Sequence, residues 1–321
     1  MWIVPEKEIA GLVSREAAFD AVEKVFAAMA AGDAYNFPVV REAIGHADAL
    51  YGFKGGFDRA GMTLGVKAGG YWPNNLEAHG IINHQSTVFL FEPDTGRVRA
   101  VVGGNLLTAL RTAAASSVSI RHLARSDAKV IGMIGAGHQA TFQLRSALEQ
   151  REFNKVIGWN LHPEMLPNLE KVATEAGVPF EAVDLDGMRG ADVIISITSS
   201  FEAILAADQV VPGTHLACMG TDTKGKQEVD PMLLARASVF TDEVAQSVSI
   251  GEAQHAVSQG VIDESDVQQL GAVINGTNPG RSSDQQITLF DGTGVGLQDL
   301  AVASAVVDLA IEKGIAVEVD V

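Results

Sequence analysis

The sequence predicts an α/β protein in which a Rossmann-type, doubly wound parallel sheet accompanies a second, α+β domain. From Lys129 onward, strand-like apolar runs alternate with helix-like segments, the order that a parallel sheet requires. A glycine-rich turn follows the first of these strands. Residues 50–102 instead carry short apolar runs separated by Gly, Pro and Asn, which is typical of antiparallel strands. We therefore expect an α+β domain over 1–124 plus 298–321, and a Rossmann domain over 125–297.

Composition supports two domains and excludes several classes of partner. The chain has 321 residues, of which 47% are hydrophobic, and its net charge of −17 disfavours nucleic acid and anionic membranes as partners. No apolar run reaches the ~18 residues of a membrane helix, and the N-terminus lacks a signal-peptide pattern, so we expect a cytoplasmic protein. The single cysteine, Cys218, has apolar neighbours and is predicted to be buried rather than reactive.

The first domain opens with a helix and continues as a sheet. Helical spacing covers residues from about 15 to 32, with Ser14 as a plausible N-cap. Strands are predicted at Met62–Ala68, Ser86–Phe91 and Val98–Val102, with a hairpin turn at Glu92–Gly96. A helix over Asn105–Leu123 closes this part.

The second domain alternates strands and helices. Its strands are predicted at Lys129–Ile134, Lys155–Trp159, Phe180–Asp184, Asp192–Thr198, His215–Gly220 and Ser238–Thr241. Helices are predicted from the glycine turn to about Gln150 and from Pro163 to about Ala176. The last helix, Gln298–Lys313, is expected to pack back on the first domain.

The glycine turn carries a dinucleotide-binding signature. Residues 135–140 read G-x-G-x-x-A between a strand and a helix, so backbone and helix N-terminus can approach a pyrophosphate. After the second strand stands Asn160, in place of the acidic residue of many NAD sites, and no cation stands there to hold a 2′-phosphate. Glu164 nearby would repel that phosphate. NAD (as NADH) is therefore favoured over NADP.

One loop and three cations are candidates for chemistry. The loop Met219–Glu228 follows a predicted strand, and it offers Asp222 to a substrate nitrogen and Lys226 to the cofactor. It fits a phosphate-binding loop poorly, because Gln227 replaces the Ser or Thr that binds magnesium; a solvated turn is the remaining alternative.

Three cations lie in apolar or glycine-rich surroundings, where they indicate an anion site or internal ion pairs: Arg41, Lys67 and Arg111. Nearby polar candidates for substrate selection are His84, Gln85 and Ser86. No metal-ligand or acyl-transfer serine motif is found.

Four motifs in order resemble the ornithine cyclodeaminase/mu-crystallin family: Leu64–Lys67, Leu107–Ala114, Gly135–Gln139 and Asp222–Glu228. The resemblance implies a first domain that binds substrate and forms a homodimer. It implies substrate-carboxylate binding by Arg41, Lys67 and Arg111, with Asp222 as the catalytic acid and Lys67 beside it in the chemistry. The residues assigned to the cofactor are Thr112, Gly135, Ala136, Gly137, His138, Gln139, Asn160, Ser196, Thr198, Met219, Gly220, Lys226, Asp291 and Gly292.

The resemblance also implies a reaction. Residues 35–46, 69–75 and 290–296 are similar to the branch of the family that reduces iminosuccinate to aspartate in the β-hydroxyaspartate cycle. We therefore expect NADH-dependent reduction of an α-imino acid, with a small imino or amino dicarboxylate as ligand. The alternatives are ornithine cyclodeamination, alanine dehydrogenation or cyclic-imine reduction, and non-enzymatic dinucleotide binding as in the mu-crystallin branch.

Overall fold

A computed structural model describes residues 1–320, and the chain divides into two compact units. Unit 1 comprises Met1–Arg111 and the residues from Val295 onward, and unit 2 comprises Thr112–Gly294. The first division lies inside the helix predicted over 105–123, not after it. Thr108 and Arg111 in its first turns contact unit 1 residues, whereas Ser116 and Ser119 hydrogen-bond to unit 2 residues. One helix therefore contributes to both units.

Unit 1 is a mostly antiparallel sheet with helices. Its strands are β1 (Trp2–Val4), β2 (Ala34–Asn36), β3 (Val40–Ala43), β4 (Leu50–Asp58), β5 (Thr63–Tyr71), β6 (His84–Phe91), β7 (Val98–Gly103) and β18 (Val317–Glu318). Its helices are α1 (Glu6–Ile9), α2 (Arg15–Ala30), α3 (Asn75–His79), α11 (Gly296–Glu312) and the start of α4 (Asn105–Leu123). The sheet order is β18-β1-β7-β6-β5-β4-β2, with β3 also paired to β4. Among the described residues of this sheet, β1 and β7 pair in parallel and the other strand pairs are antiparallel.

The last helix packs on the centre of this sheet, as predicted. Glycines on β4 and β5 make the close approach possible: a Cβ at Gly56 would lie 2.9 Å from Leu297 Cγ, and one at Gly65 would lie 2.7 Å from Leu300 Cδ2. Asp299 lies between these two leucines in sequence. The sheet glycines therefore bring the first turn of α11, with its acidic residue, onto β4 and β5.

Unit 2 is an eight-stranded sheet in which every pair is parallel. Its strands are β8 (Val130–Ile134), β9 (Lys155–Trp159), β10 (Phe180–Ala182), β11 (Val193–Ser196), β13 (His215–Cys218), β15 (Ala237–Thr241), β16 (Val267–Gln269) and β17 (Ile287–Asp291), and a separate pair is formed by β12 (Phe201–Leu205) and β14 (Gln227–Val229). Its helices are α5 (His138–Ala147), α6 (Pro167–Glu175), α7 (Pro231–Leu234), α8 (Val244–Ile250), α9 (Ala253–Ser258) and α10 (Leu270–Ile274). Single 3₁₀ turns lie at Pro163–Met165, Asp186–Gly190, Ala207–Gln209 and Glu264–Asp266.

The strand order confirms the doubly wound prediction. It runs β10-β9-β8-β11-β13-β17-β15-β16, so the chain leaves β8 in one direction through β9 and β10 and returns to the other side at β11. This reversal between β8 and β11 is the switch point at which such sheets bind ligands, beyond the carboxyl ends of the strands. Six strands were predicted, and β16 and β17 were missed.

Two further predictions can be compared with the structure. Cys218 is fully buried in β13, and burial raises its pKa well above the ordinary thiol value, which confirms a buried packing residue. Among residues 1–320, no helix is long and apolar enough to cross a membrane.

Candidate active site

The glycine turn after β8 adopts a backbone that only glycine accommodates easily. Gly135 has φ +106°, and a Cβ there would lie 2.5 Å from the carbonyl oxygen of Ile197. At Gly137 a Cβ would meet no atom within 4 Å among the described residues. The first glycine thus makes the turn possible, and the second leaves open space beside the backbone. Such space is what a pyrophosphate needs to approach closely.

The helix after this turn begins with Gly137 as its N-cap, and no side chain in the described chain caps its first turn. Its first N–H groups are therefore available to an anion. Gln139 in this turn has a buried Oε1 that accepts no hydrogen bond from residues 1–320. His138 beside it is exposed. These features fit a dinucleotide phosphate at this helix end.

Asn160, predicted to bind the adenosine ribose, holds the glycine turn in shape. Its Oδ1 accepts from the N–H of Ala136 at 3.2 Å, and its Nδ2 donates to the carbonyl of His162 at 2.8 Å. Asn168 donates to the carbonyl of Ala136 at 3.2 Å. The turn is therefore fixed from two sides, and the neighbouring Leu161 is exposed.

Two buried glutamates organise the loops at the carboxyl ends of β11 and β13. Glu228 accepts hydrogen bonds from the N–H groups of Thr198 and Gly220, at 2.6 and 2.8 Å. Glu252 accepts from the N–H of Glu228 at 2.9 Å and from the Thr221 hydroxyl at 2.5 Å. Burial, and then the charge of Glu228, raise the pKa of Glu252 to about 8. The sequence analysis gave neither glutamate a role, because acidic residues in a polar stretch resemble a solvated surface.

The loop held by these glutamates carries the predicted acid. Asp222 Oδ1 lies 2.9 Å from Lys226 Nζ, and Lys226 also donates to the carbonyl of Gly220 at 3.2 Å. The side chain of Asp222 is 29% exposed, so it is reachable. Gln254 fixes the loop by accepting from the N–H of Gly225 at 2.7 Å. The loop thus brings together the two residues that the sequence analysis assigned to different partners, Asp222 to the substrate nitrogen and Lys226 to the cofactor.

Other predicted cofactor residues lie at the same edge of the unit 2 sheet. Ser196 ends β11, Met219 follows β13, and Asp291 ends β17 beside Gly292. The Asp291 carboxylate is buried and accepts from the Ser247 hydroxyl at 2.5 Å, and burial raises its pKa to about 7. Its side chain therefore joins β17 to α8. Thr112 is a buried residue of α4 at the start of unit 2.

In unit 1, two of the three predicted cations share one carboxylate. Lys67 Nζ lies 2.8 Å from Asp299 Oδ2, and Arg111 Nε lies 3.0 Å from Asp299 Oδ1. Gln298 accepts from Arg111 Nη1 at 2.9 Å, and Thr108 from Lys67 at 3.3 Å. Although burial alone would raise the pKa of Asp299, Arg111 and Lys67 hold it below its ordinary value. Burial lowers the pKa of Lys67 to about 7.

The remaining unit 1 predictions surround this cluster. Burial, and then the charges of Lys67 and Arg111, lower the pKa of His84 to about 3, so it is neutral near pH 7. Arg41 on β3 also acts on His84 electrostatically. Gln85 donates to the carbonyl of Ile82 and accepts from Asn105. The Ser86 hydroxyl lies 3.5 Å from Thr108 Oγ1.

Two residues of this cluster were not predicted. Asp299 stands in the apolar helix α11. An acidic residue within such a helix was the signal that could have identified it. Lys54 is 8% exposed, and it stands in β4 directly opposite Lys67 on β5. Its glycine-flanked sequence resembles that around Lys67, but only strand pairing brings the two lysines together.

Comparison with known proteins finds relatives that match almost the whole chain. The profile of the ornithine cyclodeaminase/mu-crystallin family matches residues 3–314. The iminosuccinate reductase of Paracoccus denitrificans is 67% identical over 322 residues, covering 100% of both chains. The crystal structure of that enzyme in complex with NAD+ superposes with a TM-score of 0.96 and covers 100% of this chain and 99% of that one.

More distant relatives include alanine dehydrogenases. The alanine dehydrogenase of Archaeoglobus fulgidus is 32% identical over 317 residues, covering 98% of this chain and 96% of its own. An archaeal alanine dehydrogenase dimer with bound NAD has a TM-score of 0.93 at 30% identity, covering 100% and 99% of the two chains.

Proposed function

The chain belongs to the ornithine cyclodeaminase/mu-crystallin family, and from that premise we propose that it reduces iminosuccinate to aspartate with NADH. The buried cation cluster of unit 1 is the observation that carries this proposal. Lys67 and Arg111 are almost fully buried and both pair with Asp299, an arrangement of cations that suits the binding of an anionic substrate group. The similarity to the Paracoccus reductase extends over the whole length of both chains.

Unit 2 binds the dinucleotide. The glycine turn and the uncapped first turn of α5 receive the pyrophosphate, with Gln139 and Lys226 among the contacts. When bound, the reduced nicotinamide supplies a hydride. Around Asn160 the chain offers Leu161 and Glu164 rather than a cation, which favours NAD over NADP.

Unit 1 binds the substrate by its carboxylates, through Arg41, Lys67 and Arg111. These cations neutralise the negative charge of the substrate carboxylates and so make the imine carbon a better hydride acceptor. Lys67 contributes only while protonated, and its lowered pKa makes that contribution sensitive to pH near neutrality. The neutral His84 can offer either a hydrogen-bond donor or an acceptor to the substrate.

Asp222 exchanges the proton at the substrate nitrogen. In its acid form it donates its proton to the imine nitrogen, and the carboxylate that results stabilises the protonated imine, whose carbon is the more electrophilic. Hydride transfer then gives the neutral amine, which takes its next proton from solvent. Lys226, hydrogen-bonded to Asp222, holds this carboxylate in one orientation. Glu228 and Glu252 fix the loop that carries both residues. The catalytic loop is thus held by Glu228 and Glu252 in addition to Lys226.

We further propose a homodimer formed through the unit 1 sheet. Val40 and Phe53 are register partners on β3 and β4, and their exposures of 46% and 43% are high for such side chains. Tyr35, 50% exposed, adds to this apolar face, which a partner subunit would cover. Light scattering on the purified chain should give twice the monomer mass, and Phe53→Glu should lower it. We place the reaction in the cytoplasm, where the NADH pool is regenerated.

The test is to follow NADH absorbance with the purified chain and freshly generated iminosuccinate. The imine of pyruvate, a cyclic imine and NADPH serve as parallel controls. Rapid oxidation with iminosuccinate and NADH supports the proposal. Faster oxidation with the pyruvate imine would instead indicate an alanine dehydrogenase. Ammonia release from ornithine without imine reduction would indicate a cyclodeaminase.

A further inference from the structure

The side chain of Gln254 bonds to several main-chain groups on and beside the catalytic loop. Gln254 is the second residue of α9 and is 8% exposed. Its Oε1 accepts from the N–H of Gly225 at 2.7 Å. Its Nε2 donates to three carbonyl oxygens, those of Gly251 at 2.9 Å, Lys226 at 3.3 Å and Thr223 at 3.4 Å. Most of these partners belong to the catalytic loop.

The loop residues that Gln254 contacts form one tight turn. Lys226 donates its N–H to the carbonyl of Thr223 at 3.2 Å, which closes the turn. The third residue of that turn, Gly225, has φ +89°, which a type II turn requires at this position and which glycine adopts without strain. Gln254 thus contacts the first, third and fourth residues of the turn, in each case at the main chain.

The chemistry of an amide fixes the orientation of Gln254. Its oxygen must face the N–H of Gly225, because the amide nitrogen only donates. The nitrogen carries two hydrogens. The shortest bond directs one of them to Gly251, and the carbonyls of Thr223 and Lys226 share the other. This side chain therefore matches one donor and two acceptors of the turn, which neither a carboxylate nor a hydrocarbon of the same size can do.

Two neighbours of this amide hold the loop on either side of the turn. His255 Nε2 lies 3.0 Å from the carbonyl oxygen of Lys226, so this nitrogen carries a hydrogen. Glu252 accepts from the hydroxyl of Thr221, the residue before Asp222, at 2.5 Å. One short segment of chain therefore contacts the loop both before and after the proposed acid.

The turn determines where Lys226 meets Asp222. In an extended chain, Cα atoms four residues apart are separated by about 13 Å, and a reversal of the chain brings them together. Here Lys226 Nζ lies 2.9 Å from Asp222 Oδ1, across the turn. Holding the main chain of the turn therefore holds the cation that orients the carboxylate.

We propose that Gln254 is a positioning residue for the reaction: by binding the turn it places Lys226, and through Lys226 it keeps Asp222 oriented toward the substrate nitrogen. This inference rests on the role proposed for Asp222 in imine reduction. Gln254 acts through the loop and does not itself contact the substrate. Its removal should therefore slow the step in which Asp222 takes part and leave the carboxylate site of unit 1 unaffected.

The first experiment compares the unaltered chain with Gln254→Met, which keeps the size of the side chain and removes its donor and acceptor. With NADH and iminosuccinate saturating, kcat should fall about 10- to 100-fold, because small displacements of a reacting group cost factors of this size. KM for iminosuccinate should stay within about threefold, since the cations of unit 1 are unaltered. Gln259→Met changes an exposed glutamine at the end of the same helix and should leave both constants unchanged.

Combined variants separate positioning from a general loss of structure. In an Asp222→Asn background, Gln254→Met should lower kcat by less than about twofold, because the carboxylate that Gln254 positions is already absent. An effect on the fold alone would lower kcat by the same factor in both backgrounds. Gln254→Glu keeps the shape and the acceptor for Gly225, and it serves if the Met variant does not fold. Without the donated hydrogen its kcat should fall at least about fivefold, again only where Asp222 is intact.

An unchanged kcat in the Gln254 variants, or equal factors of loss with and without the Asp222 carboxylate, would overturn this inference and leave the proposed function in place. No reduction of iminosuccinate by the unaltered chain would instead overturn the proposed function, and the positioning role with it.

Discussion

Replacing Asp299 with Asn tests how the buried cation cluster is held together. The substitution keeps the shape of the side chain and removes the one negative charge that lies 2.8 Å from Lys67 and 3.0 Å from Arg111. Removing one partner of a buried ion pair typically costs about 3–5 kcal/mol. Two cations lose the same partner here, but Lys67 can release its proton cheaply because burial already lowers its pKa to about 7. We therefore expect a loss of about 3–5 kcal/mol.

The assay is thermal unfolding with a matched control on the same helix. A loss of that size should lower Tm by roughly 6–20 °C for a unit of this size. Asp308→Asn removes an ion pair with Arg99 whose acidic side chain is 66% exposed, so it should cost less than about 1 kcal/mol. Equal changes in Tm for the two variants would refute the reasoning. A second readout is the pH profile. Asp299 raises the pKa of Lys67, so in Asp299→Asn the decrease of kcat/KM with rising pH should set in at a pH lower than 7.

Further predictions concern the cation cluster of unit 1 and, in unit 2, the glycine turn and the loop that carries Asp222. In the unaltered chain, kcat/KM for iminosuccinate should fall as pH rises through about 7, because Lys67 is charged below its pKa and neutral above it; a flat profile from pH 6 to 9 would contradict this. Asp222→Asn should lower kcat about 10²- to 10⁴-fold and leave NADH affinity, measured by fluorescence titration, unchanged. Gly137→Ala should fold normally, since its Cβ meets no neighbour among the described residues, yet weaken NADH binding at least about tenfold. Gly135→Ala, at φ +106°, should instead lose about 1–3 kcal/mol of stability; the reverse order of the two glycine effects would contradict the geometry.

Features set by local sequence were predictable. The alternation of strand and helix and the G-x-G-x-x-A turn gave the parallel sheet and the place of the cofactor, because both depend on residues close in the chain. The strand Ile287–Asp291 was missed for the opposite reason. It lies between β13 and β15 in the sheet, and its partners are distant in sequence. Nothing in its five residues specifies that insertion.

The missed site residues share one physical cause, burial by distant segments. Lys54 is an ordinary lysine in sequence, and it becomes a buried charge only when α11 packs on the glycines of β4. Glu228 and Glu252 resemble surface acids until backbone N–H groups of other loops bind them. Sequence reasoning found the cations Lys67 and Arg111 but not Asp299, which stabilises them. Assigning a role to the Asp299 carboxylate requires knowing where α11 packs on the sheet.

The most direct test of the account uses NADH deuterated at the transferable C4 position of the nicotinamide, with iminosuccinate as substrate. The account predicts aspartate that carries one deuterium at its α-carbon, in an amount equal to the NADH oxidised. Oxidation of the labelled NADH without deuterium at that carbon, or no aspartate at all, would contradict hydride transfer to the imine carbon.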